Sequence, residues 1–362
     1  MVRRRRTSST GRKKKGLGCG GFFVALLLLA VVTAGGVGWL VLTPFGPQAE
    51  TFVEIAAGST SSQIGIQLEQ AGVIRSRYAF DLVRMWKRGR LKAGEYRFDH
   101  AAPVTDVYTR IARGDVFTLA VTIPEGSTRF DIAVRLAQAG FVNLANKEDF
   151  LAATMKETPL IADLDPQAKS LEGYLFPDTY RFPRKVTSMQ VIAAMLKRFR
   201  AEATQIGLFG AAGGNGGDAG SVHAVVTLAS LVERETAVKD ERPLVASVLA
   251  NRLAKQMPLM TDPAVIYGLQ IEGKWRGTIY QSDLARDTPY NTYKHAGLPP
   301  GPIANPGLPS LKAAMSPAPT DYLYFVAAGA DPQGKSRFAA TLEEHNKNVA
   351  SYRQAVKQAG GR

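Results

Sequence analysis

The sequence predicts an α+β protein with three parts: an N-terminal transmembrane helix, a repeated strand–helix–helix–strand region and a larger α+β domain. Three observations support this prediction. Residues 17–42 carry no charged side chain, a strand-turn-helix pattern occurs twice between residues 52 and 150, and residues 222–237 have helical periodicity. The chain has 362 residues, which is enough for two or three domains with a sizeable core.

The N-terminal segment combines a basic tail with a long apolar run. Eight Lys and Arg residues and no acidic residue precede residue 16, in a chain of net charge +14. A basic tail can indicate nucleic-acid binding, but the apolar run behind it is long enough to span a bilayer. Basic residues before a span indicate a cytoplasmic N-terminus. We therefore predict a cytoplasmic tail over residues 1–16, one inner-membrane span over residues 17–42, a periplasmic remainder and no nucleic-acid partner.

A cleaved signal peptide is the alternative interpretation of this segment. The apolar run is longer than an ordinary signal core because it continues through Trp39 to Leu42, and no clear small-x-small cleavage site precedes Pro44. An uncleaved signal anchor is therefore the preferred prediction. Cys19 is the only cysteine, so internal disulfides and a cysteine-based metal site are excluded.

An internal repeat follows the predicted anchor. Residues 52–60 (FVEIAAGST) align with residues 120–128 (AVTIPEGST), and the matches continue at the same spacing to Gly72 and Gly140. Constant spacing over this length indicates a true repeat. Each copy predicts a strand, a Gly-Ser-Thr turn that caps a helix, an amphipathic helix and a second helix behind it.

The first copy continues to a returning strand at residues 91–98, which completes a strand–helix–helix–strand unit. This order resembles a LysM-like module, and the resemblance implies binding to glycans rich in N-acetylglucosamine. Small units of this kind also serve as spacers, and a resemblance of fold does not decide between the two roles. We assign residues 50–160 to a LysM-like repeat region and residues 165–355 to a separate α+β domain.

The second domain is organised around residues 222–237, which have the periodicity of one helix. Glu233 and Glu235 both fall among apolar residues, on roughly opposite sides of this helix. A buried carboxyl resists ionisation, so its pKa rises, as a general acid requires at neutral pH. The alternative for either glutamate is a structural ion pair with one of three nearby arginines, Arg234, Arg242 or Arg252.

An aromatic block and several rigid loops surround this helix in the sequence. Residues 171–182 (LEGYLFPDTYRF) combine aromatic side chains with Glu172 and Asp178. Aromatic faces beside carboxylates suit sugar rings, and the alternative is an aromatic strand pair that packs in the core. His295 and His345 form no recognisable pair of metal ligands. We therefore predict no metal and no cofactor.

Eight sequence blocks resemble those of the YceG-like family of endolytic murein transglycosylases, in the family's order over residues 50–355. The blocks are LEGYLFPDTYRF, ASLVERETA, VASVLANRL, TDPAVIYG, YNTY, GLPPGPIANPG, YLYFVA and EEHNKNV. The resemblance implies one membrane span, a LysM-like region and a catalytic domain outside the inner membrane. It implies a lyase that cuts peptidoglycan strands internally at the MurNAc–GlcNAc β-1,4 bond and leaves 1,6-anhydro-MurNAc ends. Termination of nascent strands and partnership with glycan polymerases are further expectations.

The same resemblance assigns the catalytic glutamate to the first Glu of ASLVERETA, which is Glu233. Kept protonated by apolar neighbours, Glu233 would protonate the glycosidic oxygen while the C6 hydroxyl of the muramic acid closes onto C1. One carboxyl then suffices, and Glu235 becomes a structural group because it faces the other side of the helix. Substrate contacts are predicted for five residues, Glu172, Asp178, Tyr267, Asn291 and Tyr293.

Two other classes of function remain open from the residues alone. A glycoside hydrolase with two carboxylates would need a second acid, for which Asp262 and Asp178 are candidates. A non-catalytic peptidoglycan-binding scaffold would depend on the LysM-like repeats only. One departure from the family pattern is visible, because Ser336 stands where members tend to carry a histidine.

Overall fold

The computed structural model describes residues 19–211, 221–331 and 334–360, so the predicted basic tail over residues 1–16 lies outside the described residues. The chain divides into two compact units, Met1–Phe117 and Thr118–Arg362. The first unit contains, in chain order, α1 (Cys19–Leu42), β1 (Thr51–Ile55), α2 (Ser61–Gln70), α3 (Arg77–Lys87), β2 (Gly94–Phe98) and α4 (Val104–Arg113).

The second unit is larger and mainly helical, and its small sheets bring the chain into the predicted α+β class. Its elements are β3 (Leu119–Thr122), α5 (Arg129–Gln138), α6 (Lys147–Lys156), β4 (Thr179–Phe182), α7 (Ser188–Gln205), α8 (Leu208–Ala211), α9 (Val222–Glu235), α10 (Arg242–Ala254), α11 (Asp262–Ile271), α12 (Gln281–Leu284), α13 (Leu308–Met315), β5 (Tyr324–Ala327), β6 (Ser336–Ala339) and α14 (Leu342–Gly360).

Helix α1 is the apolar N-terminal helix that the sequence predicts. Its segment Gly21–Leu42 is the one helix in the described part of the chain that is long and apolar enough to cross a membrane. The chain leaves the helix in a fixed direction, because the Phe45 and Ala102 backbones exchange hydrogen bonds of 3.1 and 3.0 Å. The guanidinium of Arg75 also lies 4.2 Å from the centroid of the Trp39 ring.

The first copy of the repeat has the predicted strand–helix–helix–strand order. Strands β1 and β2 pair antiparallel, with Val53 opposite Tyr96. Thr60 begins α2 with a capping box, in which its side chain and that of Gln63 bind each other's backbone amides. Such a box satisfies amides that a helix start leaves free. The likeness to LysM modules and the binding of glycan stay predictions.

The second copy belongs to the second unit and repeats the same order over a longer stretch. Thr128 caps α5 in the same way, with Asp131 as its partner. The copy closes with β4, which pairs antiparallel with β3 so that Val121 lies opposite Tyr180. Strand β4 lies beyond residue 160, where the sequence analysis ends the repeat region. The block at residues 171–182 therefore supplies core residues and a strand, as its structural alternative predicted.

Helix α9 runs through the core of the second unit and packs against α10, α11 and α13. Its apolar positions Val226, Ala229, Leu231 and Val232 are fully buried. A loop is attached to this helix, since the Ile303 amide donates to the Ser230 hydroxyl at 3.0 Å. These contacts place the last turn of α9, with both glutamates, between two other helices and a cavity.

Candidate active site

Glu233 lies in the last turn of α9, where two groups from other segments hold its carboxyl. Oε1 accepts a hydrogen bond from Nη2 of Arg242 at 2.8 Å, and Oε2 accepts one from the Gly307 amide at 3.0 Å. Both side chains of the ion pair are only 5% exposed. Arg242 begins α10 and Gly307 precedes α13. The carboxylate therefore joins three helices, and a helix N-terminus favours a negative charge.

The prediction that apolar neighbours surround Glu233 is therefore wrong. Its neighbours on α9 itself are apolar, but Arg242 reaches the carboxyl from the next helix and forms an ion pair with it. This is the geometry of the structural alternative, in which an arginine neutralises a buried acid. Whether Glu233 is also the catalytic acid stays a prediction from the family resemblance.

Glu125 adds a second carboxyl to this cluster. Its Oε2 atom lies 3.4 Å from Nη2 of Arg242, and its side chain is 39% exposed. Glu125 belongs to the turn of the second repeat copy, at the position that Ala57 occupies in the first. Reasoning from the sequence missed this residue, and the difference between the two copies is the signal that could have found it.

Glu235 ends α9 and points to the other side of the helix, as the helical spacing predicted. It lines a cavity of about 330 Å³. Burial raises the pKa of Glu235 to about 7, and the nearby carboxyl of Asp262 acts in the same direction while Arg252 and Arg234 oppose it. Within the described residues, no group donates a hydrogen bond to this carboxyl. Glu235 therefore has the properties that the sequence analysis expected of Glu233.

The cavity beside Glu235 is built from several of the sequence blocks that carry the family resemblance. Six of the eight blocks contribute to its wall, and representatives are Glu235, Arg252, Asp262, Tyr293, Phe325 and His345. Segments far apart in the chain therefore converge on one place. A general acid needs an accessible cavity in which a substrate atom can approach it.

The polar groups of this cavity are held in fixed positions. The hydroxyl of Tyr293 donates to Oδ1 of Asp262 at 2.6 Å. Nε of Arg252 donates to the Leu323 carbonyl at 2.7 Å. The ring of His345 stacks on Tyr324 with centroids 5.1 Å apart, and burial lowers the pKa of His345. The imidazole is therefore neutral at neutral pH.

Of the five predicted substrate contacts, Tyr293 lines the Glu235 cavity and Asn291 fixes the loop that carries it. Asn291 is fully buried. Its Nδ2 donates to the carbonyls of Leu284 and Arg286 at 2.9 and 2.5 Å, and its Oδ1 accepts from the Tyr293 amide at 3.0 Å. The expectation of a direct contact by Asn291 is not supported, because its amide is turned inward to backbone partners.

Glu172, Tyr267 and Asp178 are not among the residues that line the Glu235 cavity. Glu172 is buried and accepts hydrogen bonds from the Arg129 amide at 2.9 Å and from Nδ2 of Asn305 at 2.7 Å. Burial raises the pKa of Glu172 to about 7. Asp178 pairs with Arg198 at 2.8 Å on the surface. Glu172 and Asp178 are therefore engaged with the protein itself, while Tyr267 lines a separate cavity.

The described residues combine an apolar N-terminal helix with an α+β unit in which a glutamate of raised pKa lines a cavity, an arrangement compatible with an acid–base enzyme. The chain belongs to the YceG-like family, whose model matches residues 53–351, and this confirms the resemblance. It is 35% identical over 320 residues to the endolytic murein transglycosylase of Bacillus subtilis (strain 168), covering 83% of this chain and 84% of that protein.

Two further proteins are similar to this chain. The endolytic murein transglycosylase of Streptococcus pneumoniae (serotype 2, strain D39) is 32% identical over 366 residues, which cover 90% of this chain and 64% of that protein. The chain thus spans less than two thirds of that relative. The crystal structure of a YceG-like protein from Listeria monocytogenes is 36% identical with a TM-score of 0.51, covering 83% of this chain and 99% of that one.

Proposed function

We propose that this chain is an endolytic peptidoglycan lytic transglycosylase whose catalytic cavity is the one lined by Glu235. Family membership and relatives named endolytic murein transglycosylase support the activity. One observation supports the site: a carboxyl with no hydrogen-bond donor among the described residues and a raised pKa lies beside a cavity. Such a carboxyl holds a proton near neutral pH and can transfer it to a bound substrate.

The reaction needs one carboxyl that first gives a proton and then takes one. Glu235 donates its proton to the glycosidic oxygen as the bond from that oxygen to C1 of the muramic acid breaks. The C6 oxygen of the same sugar forms a bond to C1, and its hydroxyl proton passes to the Glu235 carboxylate. The acid is thereby restored, no water is consumed, and the product ends in 1,6-anhydro-MurNAc.

A glycoside hydrolase is the second candidate, because Asp262 lines the same cavity as Glu235. In a hydrolase a second carboxylate activates water or attacks the sugar. The hydroxyl of Tyr293 occupies one oxygen of Asp262, which favours a supporting role. The two candidates give different products, since a hydrolase leaves reducing ends and a lytic transglycosylase leaves anhydro ends.

The deciding experiment is the digestion of purified sacculi by the full chain, followed by mass spectrometry of the released muropeptides. We expect internal cuts and anhydro ends. Reducing ends would favour the hydrolase, and the absence of any cut would favour a peptidoglycan-binding scaffold.

We also propose that α1 is an uncleaved anchor with a cytoplasmic N-terminus in the inner membrane and a periplasmic catalytic unit. The charge difference across residues 1–42 supports this orientation. A periplasmic reporter fused after residue 50 should be active, and a mature chain beginning at residues 43–50 would contradict the anchor. LysM-like glycan binding by the two repeat copies and glycan polymerases as partners belong to the same proposal, although the second copy closes with β4 inside the unit that carries the proposed catalytic cavity.

A further inference from the structure

A second cavity, here called the arginine cavity, lies in the same unit as the Glu235 cavity. Its volume is about 260 Å³, and its wall includes Arg129, Met155, Lys169, Tyr267, Ile271 and Tyr290. The rings of Tyr267 and Tyr290 meet edge to face with centroids 5.2 Å apart. The wall of the cavity therefore combines aromatic and aliphatic side chains with two cationic side chains.

The same two segments line both cavities. Helix α11 contributes Asp262 to the Glu235 cavity and Tyr267 to the arginine cavity, and the following loop contributes Tyr293 and Tyr290 in the same way. Five residues along an α-helix correspond to a rise of about 8 Å. The two cavities therefore flank the same helix and the same loop, and a substrate bound in one can extend a substituent towards the other.

Arg129 is a buried cation whose hydrogen bonds are incomplete. The residue is only 7% exposed, and its guanidinium interacts with the Tyr267 hydroxyl and, electrostatically, with the carboxyl of Glu172. Its Nε atom has no hydrogen-bond partner among the described residues. The nearby Glu172 accepts the Arg129 backbone amide and not its guanidinium. A buried guanidinium that lacks one of its hydrogen bonds carries a desolvation cost, which an incoming anion would relieve.

The one acidic residue in the wall of this cavity has partners elsewhere. Glu272 is paired with Lys274 at 2.9 Å and with Arg286. Lys169 is exposed and can turn towards a ligand. The cavity therefore has a net attraction for a negatively charged group that also carries apolar atoms.

We propose that the arginine cavity binds a carboxylate of the peptide stem on the muramic acid whose C1 lies in the Glu235 cavity. The proposal depends on the proposed function. Peptide stems leave the sugar through its lactyl group and combine short aliphatic side chains with free carboxylates. Arg129 would bind the carboxylate from the buried side, Lys169 from the solvent side, and the two tyrosine rings would contact the aliphatic part.

The test compares cleavage of stem-bearing glycan strands with cleavage of strands from which an amidase has removed the stems. The full-length chain is assayed as wild type, Arg129→Gln and Lys169→Gln, with Lys197→Gln on the surface of α7 as the matched control. Loss of a hydrogen bond to a charged group corresponds to a factor of about ten or more. We expect KM for stem-bearing strands to rise about tenfold in Arg129→Gln and a few-fold in Lys169→Gln, with kcat unchanged.

Stem-free strands, which keep the lactyl carboxylate, should be cut equally well by all four proteins. An equal loss on both substrates would assign the effect to the lactyl group and overturn the proposal, and so would an unchanged KM in Lys169→Gln and Arg129→Gln. Lys169 is exposed, so its variant keeps the test valid if Arg129→Gln fails to fold.

If the wild type cuts neither substrate, the proposed function fails and the cavity is tested by binding. N-acetylmuramyl-L-alanyl-D-glutamate is titrated calorimetrically against the wild type and both variants, with N-acetylmuramic acid as the comparison. Tighter binding of the dipeptide that the variants lose would support the cavity assignment. Equal binding of the two probes would overturn it.

A different observation concerns the first unit, in which α3 exposes four large apolar side chains on one side. These residues are Tyr78, Leu82, Met85 and Trp86, and Trp86 is 76% exposed. Basic residues flank this apolar side. Contiguous exposed apolar side chains of this kind indicate an interaction surface.

The apolar side of α3 lies in the same unit as α1, the helix that is long and apolar enough to cross a membrane. Helix α1 packs against α3. We infer that this side of α3 enters the interface of the bilayer that α1 spans. Aromatic and aliphatic side chains enter the headgroup boundary, and arginines beside them bind anionic lipids. The two features occur together on this helix.

The test uses the full chain in vesicles of phosphatidylglycerol and phosphatidylcholine. Trp39→Phe and Trp275→Phe leave Trp86 as the one tryptophan of the three in the chain. We expect lipids brominated near the headgroup to quench Trp86, relative to the same lipids without bromine. Equal Trp86 emission in brominated and unbrominated vesicles would overturn the inference. A change of Trp86 emission on addition of N-acetylglucosamine oligomers, without quenching by brominated lipid, would also overturn it.

Discussion

The last turn of α9 carries two glutamates whose surroundings differ although their positions in the sequence are almost the same. Arg242 and the Gly307 amide at the start of α13 each bind one carboxyl oxygen of Glu233. Glu235 meets the carboxyl of Asp262 and a cavity, and its pKa is raised to about 7 by burial. The groups that surround a buried acid are therefore supplied by the segments that face it, and the apolar residues of its own helix do not reveal them.

We expect the largest effect from Glu235→Gln, which should lose turnover because a glutamine side chain cannot give and retake a proton. General acid–base catalysis contributes about 10²–10⁴-fold, and we expect a loss in that range because one carboxyl performs both steps. The measurement is the release of anhydro-muropeptides from sacculi. The melting temperature should not fall near neutral pH, since the amide replaces a carboxyl whose ionised form is disfavoured by burial.

Glu233→Gln is the matched control for that experiment, and it also tests the prediction from the family resemblance. If Glu233→Gln abolished turnover in a fully folded protein while Glu235→Gln kept a tenth or more, Glu233 would be the acid. The ion pair with Arg242 would then belong to the resting enzyme only.

The second expected effect is a loss of stability when Glu233 is neutralised. Removing one partner from a buried ion pair typically costs about 3–5 kcal/mol, because the other charge stays buried without compensation. Glu233→Gln should therefore lower the urea midpoint of the second unit. The double variant Glu233→Leu with Arg242→Met should recover part of the loss. A double variant less stable than both single variants would show that the pair is not the stabilising feature.

The third expected effect concerns pH. The folded-state pKa of Glu235 is raised to about 7, so the proton needed for catalysis is present below that pH and is lost above it. Activity should fall as pH rises through about 7. The stabilising contribution of the neutral acid is fully present below the ordinary carboxyl pKa of 4.5 and should be lost as pH rises from there to about 7. Asp262→Asn removes a negative charge that raises this pKa, so the falling limb should move to lower pH. If the falling limb of the pH–activity profile stays at the same pH in both Asp262→Asn and Glu235→Gln, another group is responsible for that limb.

The smallest expected effect is that of Glu125→Ala, which converts the second turn to the residue of the first copy. Glu125 is partly exposed and 3.4 Å from Arg242, so its loss should cost less than about 1 kcal/mol. Turnover should stay within about twofold of wild type, as for surface substitutions outside a site. A large loss of turnover with an intact fold would place catalysis in the Glu233 cluster.

Features with local causes could be predicted from the sequence. Helix α1 follows from an uncharged stretch, and the starts of α2 and α5 follow from Thr60 and Thr128. The opposite directions of Glu233 and Glu235 follow from helical geometry alone. In each of these cases the controlling groups lie within one or two turns of the chain.

Features that depend on distant segments could not be predicted in this way. The partner of Glu125 is an arginine 117 residues further along the chain. The side-chain amide of an asparagine can bind sugar hydroxyls, which suggested a substrate contact for Asn291. In the structure, the folding of residues 284–291 turns this amide inward to two carbonyls. Periodicity shows which side of a helix is buried, and it does not show whether the opposing segment brings a cation or an anion.

The packing of α1 against its own unit limits how the protein can search for its substrate. A backbone bridge between Phe45 and Ala102 and the contact of Arg75 with Trp39 replace a flexible tether at the end of this helix. With α1 in a bilayer, the first unit diffuses in two dimensions and stays at a constant height above the lipid. Under the proposed anchoring, glycan strands close to that surface are met at a high effective concentration.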